Sequence, residues 1–361
     1  CRFASIGKTN DVLIEKYVCH LINDIKNFKT DLLNKSVLKW LKTIYFWWWT
    51  PSILKSKYLE EIIFELKNKF SFQKNIEITL ETTPWNETQE NLKNWEKIWI
   101  SRISIWVQTL NDLTLKEIWR WDKWSILKAL WIIEKSKIKN ISVDFIIWLP
   151  YVEKWEILKN IKYLLKKFKF IKHISVYMLE DYYQVIENWE LKIENWFENI
   201  YYPWDWKWIW LEEDDYLKEY LSVRKYLEKK WFNFYELSNS AKKWFECKHN
   251  KSYWNHSNNV WFWLWSHSFL NYTRYAYKSD FLWYYSWKYE YFEELKKEDL
   301  FLEKILFSLR TKWIWKNLEK KLNKVKIRDF IKSWYLKRNW NKIILWNKWY
   351  SLLDFIINEI V

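Results

Sequence analysis

Ile44-Tyr45-Phe46-Trp47-Trp48-Trp49-Thr50-Pro51-Ser52 is the stretch that decides how this chain is read. A short apolar run ends at Phe46, a turn follows at Thr-Pro-Ser, and three indoles stand where the chain must bend. A turn directly after a strand asks for residues with little or no side chain, because the backbone visits dihedral angles that a Cβ disfavours. The mismatch recurs. Trp231 stands after the lysine-ended helical pattern Leu227-Glu228-Lys229-Lys230, where a left-handed C-terminal cap calls for glycine, and Trp85 follows Pro84 in another turn position.

The 361 residues include 34 tryptophans and a single glycine, Gly7, whereas average usage would give roughly twenty-five glycines. The sequence therefore reads as one in which most tryptophans stand for glycine. That is the expected result when a UGA codon, read as glycine by the source organism, is translated with a code that reads it as tryptophan. On this reading the loop at residues 47–49 is distorted by its indoles. A tidy loop with three rings packed in an apolar niche would speak for real tryptophans. The competing reading is a tryptophan- and lysine-rich protein that binds polyanions or a membrane, but its turns would still need glycine.

Half of the residues are hydrophobic, ample for a core in one large domain with an appendage. No apolar run reaches the length of about eighteen residues that suggests a spanning helix, and no basic-then-apolar leader is visible, so a cytoplasmic protein is expected. The net charge of +15 comes from lysines spread through amphipathic helices without one basic tract. It reads as solvated helix faces, with no nucleic-acid partner and contact with a membrane periphery left open. Three cysteines, Cys1, Cys19 and Cys247, do not make a disulfide scaffold.

Short apolar strand-like runs recur at 43–46, 76–80, 102–107, 141–147 and 173–177, with amphipathic helical patterns between them at 54–69, 88–98, 126–137 and 156–169. Strand and helix alternating at this spacing predict an α/β fold with a parallel sheet covered by helices. Near-continuous apolar runs favour a barrel or partial barrel buried on both faces, with functional residues just after the strand C-termini. From about residue 196 an aromatic loop follows, then a helix at 212–230, a strand at 232–237 and a polar stretch at 238–259. The expected division is a core at 1–272 and a small helical or winged-helix domain at 295–361.

With glycine restored, residues 45–52 become Tyr-Phe-Gly-Gly-Gly-Thr-Pro-Ser, and the chain resembles the radical SAM proteins related to oxygen-independent coproporphyrinogen III oxidase, in particular the HemW-type heme chaperones. The resemblance implies a partial (βα) TIM-like radical SAM barrel. It also implies that the turn at Trp48, Trp49 and Thr50 brings bare backbone against the methionine part of S-adenosylmethionine. Further polar positions match in order: Glu81 at the end of Ile-Glu-Ile-Thr-Leu-Glu, Gln108 after Ser104-Ile105-Trp106-Val107, Arg120 after Trp119, and Asp144 before Ile146-Ile147-Trp148-Leu149-Pro150. The resemblance makes these four the groups that hold the cofactor.

The family holds a 4Fe-4S cluster with three cysteines in a CxxxCxxC loop. Cys1-Arg2-Phe3 resembles the tail of that loop, which makes Cys1 the third ligand. As written, the chain lacks the other two. Phe3 stands two residues after Cys1, where the coproporphyrinogen oxidases carry an additional cysteine, which favours the chaperone branch. Lys248-His249-Asn250-Lys251-Ser252-Tyr253-Trp254 resembles the HNxxYW motif of that branch, implying heme contact by His249 and by Tyr253 as a second contact, with Trp254 a genuine tryptophan. Residues 261–268 become Gly-Phe-Gly-Leu-Gly-Ser-His-Ser, a further family-like run. The implied function is a heme chaperone that binds S-adenosylmethionine, a cluster when full length, and heme, with a heme-receiving protein and an electron donor as partners. The alternative within the family is oxidative decarboxylation of coproporphyrinogen III.

Overall fold

The computed structural model describes residues 10–28, 40–47, 50–149, 151–178, 213–263, 266–277, 289–311, 313–340, 342–345 and 353–360. Cys1, Trp48, Trp49 and the aromatic loop from residue 196 lie outside these. The described chain opens with α1 (Asp11–Asn27) and β1 (Leu41–Phe46). It continues as α2 (Ser56–Lys69), β2 (Phe72–Thr82), α3 (Gln89–Lys97), β3 (Arg102–Gln108), α4 (Asp112–Glu117), α5 (Lys123–Glu134), β4 (Asn140–Ile147), α6 (Glu156–Lys167) and β5 (His173–Met178). After α7 (Glu213–Lys229) come two short strands, β6 (Asn233–Phe234) and β7 (Asn239–Ala241), and α8 (Lys248–Trp254).

These strands form one seven-stranded sheet in the order β1-β2-β3-β4-β5-β7-β6. The first five run parallel and the last two are antiparallel additions. The strand expected at 232–237 is thus broken. Phe234 pairs back onto Ser240, because the chain reverses at Tyr235 to Ser238.

The strands are buried on both faces, yet they are not apolar on both. Ile78 and Leu80, Ile103 and Ile105, Val143 and Phe145, and Ile174 and Val176 pack into the main core. Their neighbours Thr79 and Glu81, Arg102 and Ser104, Ser142 and Asp144, and His173 and Ser175 are also buried. With a period of two, one face meets the helices and the other turns polar groups inward. Apolar runs on both faces were expected; the strand alternation instead builds a polar interior.

Helix starts follow ordinary capping chemistry. Asn10, Thr88, Asn111, Asp122 and Asn323 each accept a backbone N–H with the side chain at the N-cap, satisfying donors that the first turn leaves open. α6 differs. Its N-cap is Trp155, which has no side-chain acceptor, and the Glu219 carboxylate of α7 reaches across to accept from Trp155 N–H at 3.1 Å and Leu158 N–H at 3.2 Å. Replacing Glu219 by alanine removes this borrowed cap and should cost about 1–2 kcal/mol in urea unfolding, while an exposed control such as Glu228→Ala should cost far less.

The remaining elements are a three-stranded antiparallel sheet of β8 (His267–Leu270), β9 (Thr273–Tyr277) and β10 (Tyr289–Glu294), then α9 (Lys297–Thr311), β11 (Trp313–Trp315), α10 (Lys316–Glu319), α11 (Lys324–Lys332), β12 (Leu336–Asn339), β13 (Lys342–Leu345) and α12 (Leu353–Ile360). Ile305, Leu309, Ile314, Ile327, Ile343 and Ile356 make a second core of their own. Helices surround a small β11-β13-β12 sheet in this part of the chain.

Candidate functional site

The C-terminal ends of the parallel strands carry the polar groups singled out by the sequence. Glu81 ends β2 and is 5 % exposed. The Tyr45 hydroxyl of β1 donates to its Oε1 at 2.9 Å. Asp144, on β4, accepts from Ser104 Oγ at 3.0 Å and from Ser142 Oγ at 3.2 Å. Burial pushes its carboxyl up, while serine hydrogen bonds and the charge of Arg102 oppose that shift. Gln108 closes β3, and its Oε1 accepts from Arg120 Nε at 3.2 Å. Burial lowers the Arg120 guanidinium.

Backbone strain collects at the same level. Gln108 has φ of 62°, and Thr109 N–H donates to the Val107 carbonyl across it at 2.7 Å, the rare and strained form of a three-residue turn. Thr50, after β1, and Trp148, after β4, have φ of 56° and 75°. At Thr50 and Gln108 residues bearing a side chain are held against their backbone preference, a pattern that clusters at ligand sites.

Trp106 covers part of this rim, its ring centroid 5.6 Å from the Arg120 guanidinium carbon. Trp47 is 46 % exposed and lies 5.3 Å from the Trp261 ring, so it is not packed away in an apolar niche. Trp85 sits in its turn as expected, but without a left-handed backbone.

His249 lies deeper. Its backbone N–H donates to Glu77 Oε1 at 3.2 Å and its Nδ1 is 3.1 Å from Thr43 Oγ1. The ring faces Tyr45 at 4.9 Å and Trp261 at 5.2 Å, and Nε2 is buried without a hydrogen-bond partner. Burial, helped by the positive charge of Arg102, lowers the imidazole to about 4, so it is neutral at physiological pH. His249, Tyr45, Ile25, Phe262 and Trp263 line a cavity of about 780 Å³ beside β1. Tyr253, four residues on, turns elsewhere: it packs on Phe307 of α9 at 6.4 Å. Tyr45 joins the two regions, with its hydroxyl on Glu81 and its ring on His249.

The sequence reading missed the interior residues that support these groups. Arg102 is 2 % exposed; burial works against its charge, and the Glu77 carboxylate beside it works in favour. His173 joins Ser142 Oγ at 2.7 Å to the Tyr235 hydroxyl at 2.7 Å. Glu87, just after β2, is 3 % exposed, and burial pushes its carboxyl up to about 8. For Arg102 and His173 the signal was present as polar residues within apolar strands; Glu87, in the loop after β2, carried none.

Known proteins agree with this architecture. Residues 31–164 match the model of the radical SAM superfamily. The heme chaperone HemW of Buchnera aphidicola subsp. Schizaphis graminum is 27 % identical over 256 residues, covering 71 % of this chain and 62 % of that protein. HemW of Haemophilus influenzae is 28 % identical over 260 residues, covering 70 % and 62 %. The chain thus spans less than two thirds of the length of these relatives. Coproporphyrinogen III oxidase from Escherichia coli, described as a radical SAM enzyme, superposes with a TM-score of 0.76 at 14 % identity, covering 99 % of this chain and 85 % of that one. Its likeness is one of fold. The parallel half-barrel is the fold these proteins share, and its core segment is similar to the radical SAM superfamily and, over a longer stretch, to the HemW heme chaperones.

Proposed function

We propose that the chain is a heme chaperone that holds S-adenosylmethionine at the strand C-termini and heme beside β1. The observation that carries the reading is the convergence of Glu81, Gln108 and Asp144 from three consecutive strands, with Arg120 bonded to Gln108, while His249 presents a buried Nε2 on an adjoining cavity. The rim fits a zwitterionic sulfonium cofactor. Glu81 and Asp144 offer carboxylates, Gln108 an amide and Arg120 a cation. When bound, that cofactor supplies a carbon–sulfur bond open to one-electron cleavage. The chain's own residues orient it: Tyr45 holds the Glu81 carboxylate, and Ser104 and Ser142 hold that of Asp144.

The cavity fits heme. It is apolar, and an imidazole kept neutral by burial is a common axial ligand to heme iron. The described residues do not fit a 4Fe-4S cluster. Cys19 is exposed on α1, Cys247 is buried against Glu77, and no group of three or more metal-ligating side chains occurs among the described residues. Any cluster therefore depends on residues outside them, Cys1 included, and an electron donor and heme acceptor belong to the same reading of the whole protein.

Titration with hemin, followed by the Soret band, tests the heme half. His249→Ala should weaken binding by about tenfold or more. Affinity of the unsubstituted protein should stay flat as pH falls from neutrality and drop only near pH 4, where the imidazole protonates. Equal binding by His249→Ala would sink the assignment. Calorimetry with S-adenosylmethionine tests the other half: Asp144→Asn should weaken binding and leave the hemin titration unchanged.

A further inference from the structure

Fourteen described non-glycine residues have a positive φ, and eight of them are tryptophan: Trp99, Trp119, Trp148, Trp155, Trp231, Trp244, Trp334 and Trp340. We infer that the protein made in its own cells carries glycine at these eight positions and tryptophan at Trp95 and Trp254, so that the backbone itself sorts the two meanings of one letter. Phenylalanine is a sharp control. It is aromatic and abundant, with 21 residues, yet it contributes none of the fourteen.

Four of the eight close helices in the same way. After α3, Trp99 N–H donates to Glu96 C=O at 3.3 Å and Ile100 N–H to Trp95 C=O at 3.0 Å. After α4, Trp119 N–H donates to Lys116 C=O at 3.1 Å and Arg120 N–H to Leu115 C=O at 2.7 Å. After α7, Trp231 N–H donates to Glu228 C=O at 3.0 Å and Phe232 N–H to Leu227 C=O at 3.0 Å. After α11, Trp334 N–H donates to Ile331 C=O at 3.2 Å and Tyr335 N–H to Phe330 C=O at 2.9 Å. Each is the paired bond pattern of a Schellman cap, whose left-handed residue is glycine because a Cβ there meets the neighbouring carbonyl.

The other four sit at bends with the same demand. Trp244 is the third residue of a turn closed by Phe245 N–H on Lys242 C=O at 2.9 Å. Trp155 is third in the turn closed by Glu156 on Glu153, Trp340 follows β12 at the hairpin, and Trp148 follows β4. A left-handed third turn residue again selects glycine.

At four of the eight positions side-chain use agrees with backbone conformation, while Trp148 is half-buried and stacks on Tyr216 at 6.0 Å, so its assignment rests on φ alone. Trp119, Trp231, Trp244 and Trp340 are 81, 83, 82 and 93 % exposed, so their indoles do nothing for the fold. Trp95 is the opposite case: right-handed within α3 and 1 % exposed. Trp254 lies within α8 with its ring 5.4 Å from Phe307. The rule runs one way. Among the tryptophans a positive φ assigns glycine, whereas those with a negative φ, such as Trp106, are not sorted by it. The inference stands on backbone geometry and burial and is independent of any ligand.

Tandem mass spectrometry of proteolytic peptides from the natively expressed protein tests it. The expected result is glycine at 99, 119, 148, 155, 231, 244, 334 and 340, with tryptophan at 95 and 254. A tryptophan mass at any of the eight, or a glycine mass at 95 or 254, overturns the sorting.

Discussion

One chemical change, tryptophan to glycine, should move stability in opposite directions at sites only four residues apart. Trp95→Gly should lose about 4 kcal/mol or more, because emptying a buried aromatic site costs about 3–5 kcal/mol and glycine inside a helix adds about 1. Trp99→Gly should instead gain. It relieves about 1–2 kcal/mol of left-handed strain, less the smaller cost of a freer unfolded chain. The caps at 99, 119, 231 and 334 close different helices, so their gains should roughly add, to about 2–4 kcal/mol in the fourfold variant. Urea unfolding of the recombinant tryptophan chain against each variant measures both effects. A loss of stability at the four cap positions would show that the indoles hold the structure and that the left-handed geometry costs nothing.

Glu87→Gln should stabilise the protein by about 3 kcal/mol at pH 7 and by almost nothing near pH 4. The carboxyl's folded pKa is raised from 4.5 to about 8 by burial, and among the described residues it forms no ion pair. The folded state therefore binds a proton that the unfolded state has released. Its contribution is fully present below about pH 4.5 and is lost progressively as pH rises towards 8. Between 4.5 and 7 the loss is about 1.4 kcal/mol per pH unit. Glutamine is neutral throughout and avoids it. Urea unfolding of both proteins from pH 4 to 8 should show a gap that opens with pH; a constant gap would mean that Glu87 acts by packing or hydrogen bonding alone.

The parallel strands and the helices between them were legible because each carries a periodic apolar signal long enough to survive the altered letters. β3 and β4 fall within a residue or two of their expected limits. The C-terminal positions of Glu81 and Gln108 followed directly, since a residue's place at a strand end needs no tertiary information, whereas Asp144 lies inside β4. What was not legible depended on contacts distant in sequence. The meeting of His249 with Thr43 and Glu77 joins residues separated by most of the core. The Glu219 cap of α6 replaces a local signal that Trp155 cannot give. The polar interior was missed for a different reason. Arg102, Ser104, Ser142 and His173 were absorbed into near-continuous apolar runs, although their two-residue period assigned them to one face. α1 was also overlooked, despite Asn10 as an N-cap acceptor and Asp11 in the first turn.

The strand order also sets how the molecule can be assembled. From β1 to β5 the spatial order repeats the chain order, so each strand finds its neighbour across a connection of one or two helices and joins an edge already present. Such a sheet can lengthen in the direction of synthesis, one strand and helix at a time, without waiting for a distant segment. The exception is β7, which must reach β5 across the chain between Ser175 and Asn239. Closing that longer connection carries the largest entropy cost in the sheet, so β7 and β6 gain least from growth along the chain.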